Sequence, residues 1–294
     1  MSLESAFDYA DFVDRNLGFV NATEQQKLRE GRVLVIGVGG MGGAAVQTLA
    51  RLGLGALTLA DIDTFELSNL NRQVFANIDT IGNDKAQATA SALHRINPQL
   101  HLQVLGREWP QQLDVLLDRH RIVINGMDDI AMGVHLYRRA AVHGATVIDA
   151  YTSPLPSVIA VSPQDPRPEQ RLGYPSFGVN PAQFTPELLQ ACFGRELEYV
   201  MVHSSSANHI DLELGRELVA GTRKRMSFAP MVITTGNMMA FEVVKCLLGR
   251  TPTADARGYF FNPWTMQVER PRSKPVAVLR RFMVRRFLAG LMRG

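Results

Sequence analysis

Hydrophobic residues change their spacing early in the chain and predict a β-α-β unit. The apolar run RVLVIG, which begins at Arg32, has the length of a buried strand and ends in a cluster of glycines. Apolar residues at helical spacing follow as far as Gly53, and ALTLAD, from Ala56 to Asp61, is typical of a second strand. A strand, a helix and a strand in this order favour a parallel pair with a right-handed crossover.

The alternation of strands and helices continues through the first half of the chain. Further helices are expected at 85–96, 111–120 and 130–143, and further strands at 101–105, 121–125 and 145–149. This order predicts a Rossmann-like, doubly wound α/β fold with a mainly parallel sheet.

The pattern changes after Asp149. From Tyr151 to Pro186 prolines, serines and glycines dominate, and only SVIAVS is strand-like. We expect a crossover or lid segment there, because long loops without regular structure are usually functional or mobile. Helical spacing returns from Pro230 to Leu248, and GYFFN and MQVERP then alternate like the two strands of a C-terminal hairpin.

Composition narrows the class of protein. The 294 residues are 46% hydrophobic, enough for one large core or two unequal lobes, and no apolar run reaches the roughly 18 residues that span a bilayer. The first residues are too acidic and polar for a signal peptide, so we expect a cytoplasmic protein. Two cysteines, Cys192 and Cys246, without a C-x-x-C pair support neither a disulfide framework nor the usual structural zinc site.

The net charge of +3 comes from the end of the chain. The last segment contains five arginines and no acid: Arg280, Arg281, Arg285, Arg286 and Arg293. The rest of the chain is near neutral, which argues against a nucleic-acid-binding body. Leu279, Phe282, Met283 and Phe287 lie near one face of the predicted tail helix. The tail therefore contacts an anionic membrane or an acidic partner, or its apolar face docks on the same protein or a dimer mate.

A glycine loop joins the first strand to the first helix. In GVGGMG the glycines Gly37, Gly39, Gly40 and Gly42 let the backbone amides and the helix N-terminus approach phosphate oxygens. Such loops serve NAD, FAD and ATP alike. Asp61 closes the second strand, where an acidic residue can accept hydrogen bonds from a ribose.

Three charged residues favour ATP over the other nucleotides. The loop has no G-K-[ST], so positive charge for phosphates must come from elsewhere, and Arg72 and Lys85 follow at once. Asp128, just past the strand RIVIN, is expected at the carboxyl edge of the sheet, where a carboxylate can hold magnesium. The alternative for each is an ordinary solvated surface position.

These motifs resemble those of one known family. The run VLVIGVGGMGGAAVQTLARLGLGALTLADIDTFELSNLNRQ is similar to the nucleotide-binding core of ubiquitin-like-protein-activating enzymes, in particular the ThiF/MoeB/HesA adenylyltransferases. The resemblance extends through IGNDKA, INP, NGMDD, TTGNMMAFEVVKCLLGR and FNPWTMQVERP. It covers about residues 12 to 272, except for 163–226.

The resemblance implies a homodimer that uses ATP and Mg²⁺ to form an acyl-adenylate, classically on the C-terminal glycine of a ubiquitin-like or sulfur-carrier protein. It places Asp61, Asp63 and the glycine loop (Gly37, Gly39, Gly40, Gly42) at the adenosine and phosphates, and Asn69, Arg72, Gln73 and Lys85 at the polyphosphate. Arg72 and Lys85 are the implied catalytic cations, and Asp128 positions magnesium. Arg15, in FVDRN, resembles an arginine that reaches into the partner subunit's site.

With the resemblance, the chain divides into five segments. They are an N-terminal helical dimer contact (1–30), a nucleotide-binding core (31–162), a divergent crossover and substrate segment (163–229), a helix and strands that complete the domain (230–273) and the basic tail (274–294). Because 163–226 departs from the family, the carboxylate stays open: a ubiquitin-like or sulfur-carrier C-terminus, a peptide or a small acid.

Two further features of the sequence, a cysteine and a Ser-His segment, bear on other functions. Cys192 is the candidate acyl acceptor, although its helical spacing with Leu188 and Leu189 favours a buried packing residue. The Ser-His segment from His203 to His209 lacks a G-x-S-x-G elbow and is interpreted as a polar surface loop. A nicotinamide-dependent oxidoreductase and a non-catalytic, partner-binding form of the fold are the alternatives to the adenylyltransferase.

Overall fold

The computed structural model describes residues 7–219 and 221–291. The strands are β1 (Arg32–Ile36), β2 (Ala56–Ala60), β3 (His101–Leu105), β4 (Ile122–Asn125), β5 (Thr146–Asp149), β6 (Ser157–Val161), β7 (Tyr259–Asn262) and β8 (Gln267–Glu269). The helices are α1 (Tyr9–Val13), α2 (Ala22–Glu30), α3 (Gly40–Arg51), α4 (Lys85–Ile96), α5 (Trp109–Arg119), α6 (Ile130–His143), α7 (Pro168–Arg171), α8 (Pro186–His203), α9 (Leu212–Val219), α10 (Ala229–Leu247) and α11 (Lys274–Leu291).

The strands form one sheet in the order β3-β2-β1-β4-β5-β6-β7-β8. The first five strands pair in parallel, and β6, β7 and β8 extend the sheet with antiparallel pairings. The predicted doubly wound, mainly parallel fold with a C-terminal hairpin is therefore confirmed. The chain order reverses between β1 and β4, and ligands of open α/β sheets bind beyond the carboxyl ends of the strands at such a reversal.

Helices α3 and α10 pack closely on one face of the sheet. A Cβ added to Gly236 of α10 would lie 2.4 Å from the Met41 carbonyl oxygen and 2.6 Å from the Ala44 Cβ of α3. The absence of a side chain at Gly236 therefore allows the two helices to approach. This contact holds the start of α3, where the glycine loop ends, against the body of the protein.

The predicted crossover segment is more ordered than its composition indicates. Glu169, which is 2% exposed, accepts hydrogen bonds from Arg138 of α6 and from Arg167. Arg138 also donates to the Val179 and Ser176 carbonyls. These buried polar contacts pin residues 167–179 onto α6, so the prolines and glycines there shape a packed connection.

Two predictions about residues 192–209 have different outcomes. Cys192 is fully buried beside Val134 and Tyr174, so the prediction of a packing residue is confirmed. The prediction of a polar surface loop is wrong, because His203, Ser204 and Ser206 are buried. This segment lies at the C-terminal end of α8, beneath the hairpin and α11. The Ser204 hydroxyl donates to the Ser206 hydroxyl, and the Ser205 amide donates to Glu269 of β8. Arg280 of α11 donates to the Ser204 carbonyl.

The tail helix docks through arginines rather than through the predicted apolar face. Arg280 donates to the Met201 and Ser204 carbonyls, and Arg281 and Arg285 both contact Glu198 of α8. The apolar side chains Leu279, Phe282, Met283 and Phe287 are exposed instead. Arg293, also expected in this tail, lies outside the described residues. Within the described ranges, the helices are too short or too polar to cross a membrane.

Candidate nucleotide-binding site

The glycine loop closes tightly at the carboxyl ends of β1 and β4. Gly37 has a φ of +89°, and a Cβ there would lie 2.6 Å from the Gly126 carbonyl carbon. A Cβ on Gly42 would lie 1.9 Å from the Gly37 carbonyl oxygen. Only glycine fits these positions, because the loop folds back on itself and on the turn after β4.

Helix α3 begins earlier than its apolar spacing indicates. Gly40 and Gly42 lie in the first turn of the helix, and Gly39 is its N-cap without a side-chain hydrogen bond. The free amides at this N-terminus therefore point out of the loop. Such an end attracts anions, which is the property that a phosphate site needs.

Asp61 ties the end of β2 to the loop. Its carboxylate accepts hydrogen bonds from the Val38 amide at 2.8 Å and from the Asp63 amide at 3.0 Å. Burial raises the pKa of the Asp61 carboxyl, and these two hydrogen bonds partly oppose the rise. A carboxylate has about four acceptor positions, so Asp61 can hold the loop and still accept a hydroxyl hydrogen bond.

Lys85 lies at the start of α4 and is largely buried. Its Nζ is 2.9 Å from Oδ2 of Asp63, and its backbone amide donates to the Asp63 carbonyl at 2.9 Å. Asp63 is itself exposed, with 63% of its side chain accessible. The pair places one cation beside the Asp61 end of β2 and leaves the Asp63 carboxylate in reach of solvent.

Arg72 and Gln73 bring two more polar groups to the loop. Arg72 donates to the Ser68 carbonyl at 2.8 Å and to the Asn71 side chain at 3.0 Å, and it pairs with no carboxylate among the described residues. Gln73 is 7% exposed and lies against Gly39, where a Cβ would be 3.4 Å from its Nε2. The Gln73 Oε1 atom is buried and has no hydrogen-bond partner among the described residues.

Asn69 has a structural part in this arrangement. Its Oδ1 accepts a hydrogen bond from the Glu66 amide at 3.1 Å, which caps the short turn of 3₁₀ helix at Leu67–Asn69. The amides of Arg72 and Gln73 donate to the Asn69 carbonyl at 3.1 and 2.9 Å. Asn69 therefore sets the backbone from which the Arg72 and Gln73 side chains extend.

Asp128 follows the turn that packs on Gly37. Gly126 donates its amide to the Ile36 carbonyl at 2.7 Å, which joins the ends of β1 and β4. The Asp128 side chain is exposed and makes no hydrogen bond or ion pair with any described residue. A carboxylate without a partner among the described residues thus lies close to the glycine loop, at the carboxyl edge of the sheet where the sequence predicts it.

Arg15 is not part of the same cluster. It belongs to the turn Asp14–Asn16, whose Asn16 donates to the Leu52 carbonyl at 3.2 Å. Leu52 is the C-cap of α3, and the glycine loop lies at the other end of this helix, about 18 Å away for 12 residues at 1.5 Å each. The exposed Arg15 therefore lies far from the loop of its own subunit.

The sequence analysis does not predict a polar network of three side chains near the site. Asn125, Tyr137 and Asp149 form a buried hydrogen-bonded network. It lies next to residues 126–129, which connect β4 to α6 and are called the Asp128 turn below. A signal for it exists, because Asn125 and Asp149 end two neighbouring parallel strands, as Asp61 and Asp128 end or follow theirs. Tyr137 lies at a helical core position and carries no such signal.

Comparisons with known proteins show which enzymes this chain resembles in sequence. The chain is 39% identical over 109 residues to the molybdopterin-synthase adenylyltransferase of Escherichia coli strain K12, a match that covers 37% of this chain and 44% of that enzyme. The match thus spans less than half of that relative's length. The sulfur carrier protein ThiS adenylyltransferase of the same strain is 29% identical over 235 residues, 79% of each chain.

A solved structure and a family model match most of the chain. The crystal structure of E. coli MccB with ATP has a TM-score of 0.61 at 18% identity and covers 85% of this chain and 67% of that one, a likeness of fold. The ThiF family model matches residues 13–277, from the end of α1 into α11. Since this match covers most of its length, the chain belongs to the ThiF family.

Proposed function

We propose that this protein is an ATP-dependent adenylyltransferase that activates a carboxylate as its acyl-adenylate and releases pyrophosphate. The observation that carries the proposal is the Asp128 carboxylate, which has no partner among the described residues and follows the turn packed against Gly37 of the glycine loop. A metal-binding group at that place serves a polyphosphate. Hydride transfer from a nicotinamide does not need a metal-binding carboxylate at this position, so the observation disfavours an oxidoreductase.

The chemistry requires positioning and positive charge rather than a nucleophilic side chain. The substrate carboxylate attacks the α-phosphorus in line, and the bond from that phosphorus to the pyrophosphate oxygen breaks. Arg72 and Lys85 would stabilise the negative charge that develops on the leaving pyrophosphate. The amides at the start of α3 would hold phosphate oxygens, and Asp61 would accept from the ribose.

The residues present fit both ATP and Mg²⁺. The Oε1 of Gln73 beside Gly39 is buried without a partner among the described residues, and the amide can turn so that its NH₂ group donates to a phosphate oxygen. Mg²⁺ is usually held by one or two carboxylates together with substrate phosphates, so Asp128 alone can supply the protein's share. Bound there, the ion would neutralise phosphate charge.

The acyl acceptor is not Cys192 in this proposal. Its thiol is fully buried and donates to the Ser176 hydroxyl at 3.3 Å, so a bulky adenylate has no access to it. Release of the adenylate or direct transfer to another nucleophile remains. The relatives act on a molybdopterin synthase and on the sulfur carrier ThiS by name, and we infer a protein or peptide C-terminus or a small acid here.

The proposal includes a homodimer in the cytoplasm. The position of Arg15, about the length of α3 from its own loop, supports a role in the site of a partner subunit. The exposed apolar side chains and arginines of α11 support a contact with either an anionic membrane or an acidic protein, the two partners that the sequence predicts.

The test is calorimetric titration with ATP and Mg²⁺, and separately with NADH. We expect the wild type to bind ATP selectively and Asp128→Asn to lose most of the gain in affinity that Mg²⁺ provides. Asp129→Asn is the matched control, because it removes a neighbouring charge while Asn still caps α6. NADH binding without an ATP signal would overturn the proposal, and ATP binding would lead to a screen of carboxylates by pyrophosphate exchange.

A further inference from the structure

A buried carboxylate lies next to the Asp128 turn without a part in the chemistry above. Asp149 ends β5 and is 8% exposed. Its Oδ2 accepts hydrogen bonds from the Tyr137 hydroxyl at 2.7 Å and from Asn125 Nδ2 at 2.8 Å, and its Oδ1 accepts from the Ala150 amide at 2.7 Å. Burying a carboxylate is costly, and three hydrogen-bond donors offset part of that cost here.

These hydrogen bonds join three different elements. Asn125 is the last residue of β4, Tyr137 lies on α6, and Asp149 is the last residue of β5. Parallel strands β4 and β5 are neighbours, so their carboxyl ends meet at this point. One carboxylate therefore fixes the spacing of two strand ends and the helix that connects them.

The Asp128 turn runs between the two parts that this network fixes. At its start, the Asn125 Oδ1 accepts from the Met127 amide at 3.3 Å. At its end, Asp129 caps α6 by accepting from the Met132 amide at 3.0 Å. The Asp128 side chain makes no hydrogen bond to a described residue, so its position depends on the hydrogen bonds at the two ends of the turn.

Asp128 and the network also share one cavity. Asn125, Asp128, Tyr137 and Asp149 all line a cavity of about 70 Å³ at the carboxyl ends of β4 and β5. Thus the space beside the free carboxylate is bounded by the groups that hold its turn. A change of hydrogen bonding at Asp149 would act on Asp128 through the backbone of residues 125–129.

We propose that Asp149 is a positioning residue, which with Asn125 and Tyr137 holds Asp128 in the geometry that binds magnesium at the nucleotide phosphates. The inference rests on the proposed function, because it needs Asp128 to be the magnesium ligand. Asp149 acts only through Asn125, Tyr137 and the turn they hold. Its loss should therefore affect the magnesium-dependent part of ATP binding and leave the magnesium-independent part unchanged.

The test measures ATP affinity with and without Mg²⁺ in the full-length chain. We expect Tyr137→Phe, which removes one buried hydroxyl bond, to reduce the Mg²⁺-dependent gain by about fivefold, the effect of one such bond. Thr58→Val is the matched control, since the Thr58 hydroxyl makes one buried bond of 3.0 Å to His120 elsewhere in the sheet. That variant should lose stability and keep the full Mg²⁺ gain.

A reciprocal exchange separates positioning from general stability. Asp149→Asn alone should reduce the Mg²⁺-dependent gain, because one acceptor oxygen becomes an NH₂ group and the side chain can no longer accept all three hydrogen bonds that the carboxylate receives. Adding Asn125→Asp restores a carboxylate on the other strand, which accepts from the new amide at position 149 and from the Met127 amide. We expect most of the gain to return in this double variant. If Asp149 had only a structural role, these variants would change the free energy of unfolding and leave the Mg²⁺-dependent gain in ATP affinity unchanged.

The outcomes distinguish this inference from the proposed function. If the wild type shows no Mg²⁺-dependent gain in ATP affinity, the proposed function fails and this inference fails with it. If the wild type shows the gain, and Tyr137→Phe and Asp149→Asn retain it in full as folded proteins, Asp149 is not a positioning residue and the proposed function stands. Loss in both variants with recovery in the exchanged pair supports the inference.

Discussion

Two buried titratable groups have pKa values displaced in opposite directions. Burial raises the pKa of the Asp149 carboxyl to about 7, although hydrogen bonds from Tyr137, Ala150 and Asn125 oppose the rise. Burial, with the nearby charges of Arg281 and other arginines, lowers the pKa of His203 to about 4. Each group therefore makes the free energy of unfolding depend on pH.

The signs of the two contributions differ. Native Asp149 keeps a proton that the unfolded chain, with an ordinary pKa of 3.8, has lost, so its contribution to stability falls as the pH rises towards about 7. The unfolded chain protonates His203 near its ordinary pKa of 6.5, whereas the native protein does so near 4. That contribution therefore falls as the pH drops from 6.5 to about 4.

We expect two opposite trends in urea unfolding measured across this pH range. Asp149→Asn should gain stability relative to the wild type as the pH rises from about 4 to about 7, because the variant lacks the unfavourable ionisation. His203→Gln should gain relative stability as the pH falls from 6.5 to about 4. Only the slopes are diagnostic, since each substitution also alters hydrogen bonds at every pH. Variant curves parallel to the wild type would contradict the assignment.

Among the elements, β1, the glycine loop and α3 act as one unit. The loop reverses so sharply that the Gly42 Cα lies against the Gly37 carbonyl, and Gly236 of α10 holds the same first turn of α3 from outside. The N-terminus of α3 is aimed at the strand ends by these contacts. The phosphate binding proposed for this helix end would thus depend on packing as well as on the helix dipole.

Gly42→Ala tests this dependence. The added Cβ would lie 1.9 Å from the Gly37 carbonyl oxygen, so the backbone must shift. We expect a loss of about 1–3 kcal/mol in the free energy of unfolding, as for overpacked sites. ATP affinity by calorimetry should fall by about tenfold or more, equivalent to ~1.4 kcal/mol.

Gly194→Ala is the matched control for that substitution. Gly194 lies in α8, and a Cβ there would meet no atom of the described residues within 4 Å apart from its chain neighbours and the adjacent backbone of its own helix. Because Ala loses less backbone entropy than Gly inside a helix, the change should stabilise the protein by about 0.5–1 kcal/mol and leave ATP affinity unchanged. Equal effects of the two substitutions would show that the close approach at Gly42 is unimportant.

At the scale of the whole molecule, the site and Arg15 lie at opposite ends of α3. An arginine so placed can serve a nucleotide only in another copy of the chain. If the sites are shared, mixing inactive Arg15→Ala and Asp128→Asn subunits should restore about a quarter of the pyrophosphate exchange, because half of the dimers are mixed and one of their two sites is intact.

The control for subunit mixing pairs Arg72→Ala with Asp128→Asn. Both residues lie in the site of one subunit, so mixed dimers carry a defect in each site and stay inactive. Sedimentation of the wild type establishes whether a dimer forms at the assay concentration. A monomer, or no recovery with Arg15→Ala, would remove Arg15 from the site.

Much of the fold and of the site follows from local sequence patterns. The apolar runs of β1, β2, β4 and β5 are short and continuous because these strands are buried on both faces, and such runs predict a parallel sheet. Positions at the carboxyl ends of these strands share one edge. This rule suffices to predict Asp61 and Asp128 as site residues.

Contacts between elements distant in sequence could not be predicted in this way. Tyr137 has the spacing of a core residue, and only the packing of α6 on the sheet brings its hydroxyl to Asp149. His203 and Ser204 have polar composition, and burial under α11 and the hairpin depends on residues about 70 positions later. Composition indicates exposure, whereas burial depends on which elements pack together.

The sequence by itself determined the βα order, the glycine loop and the charged residues around it, because strand period, glycine spacing and helix start are local properties. Only the tertiary structure decided that α11 docks through arginines on Glu198 and exposes Leu279 and Phe282. Likewise it alone joined Asn125, Tyr137 and Asp149 behind Asp128. The physical reason is that hydrogen-bond partners and buried faces are chosen in three dimensions, where residues far apart in the chain compete for the same contacts.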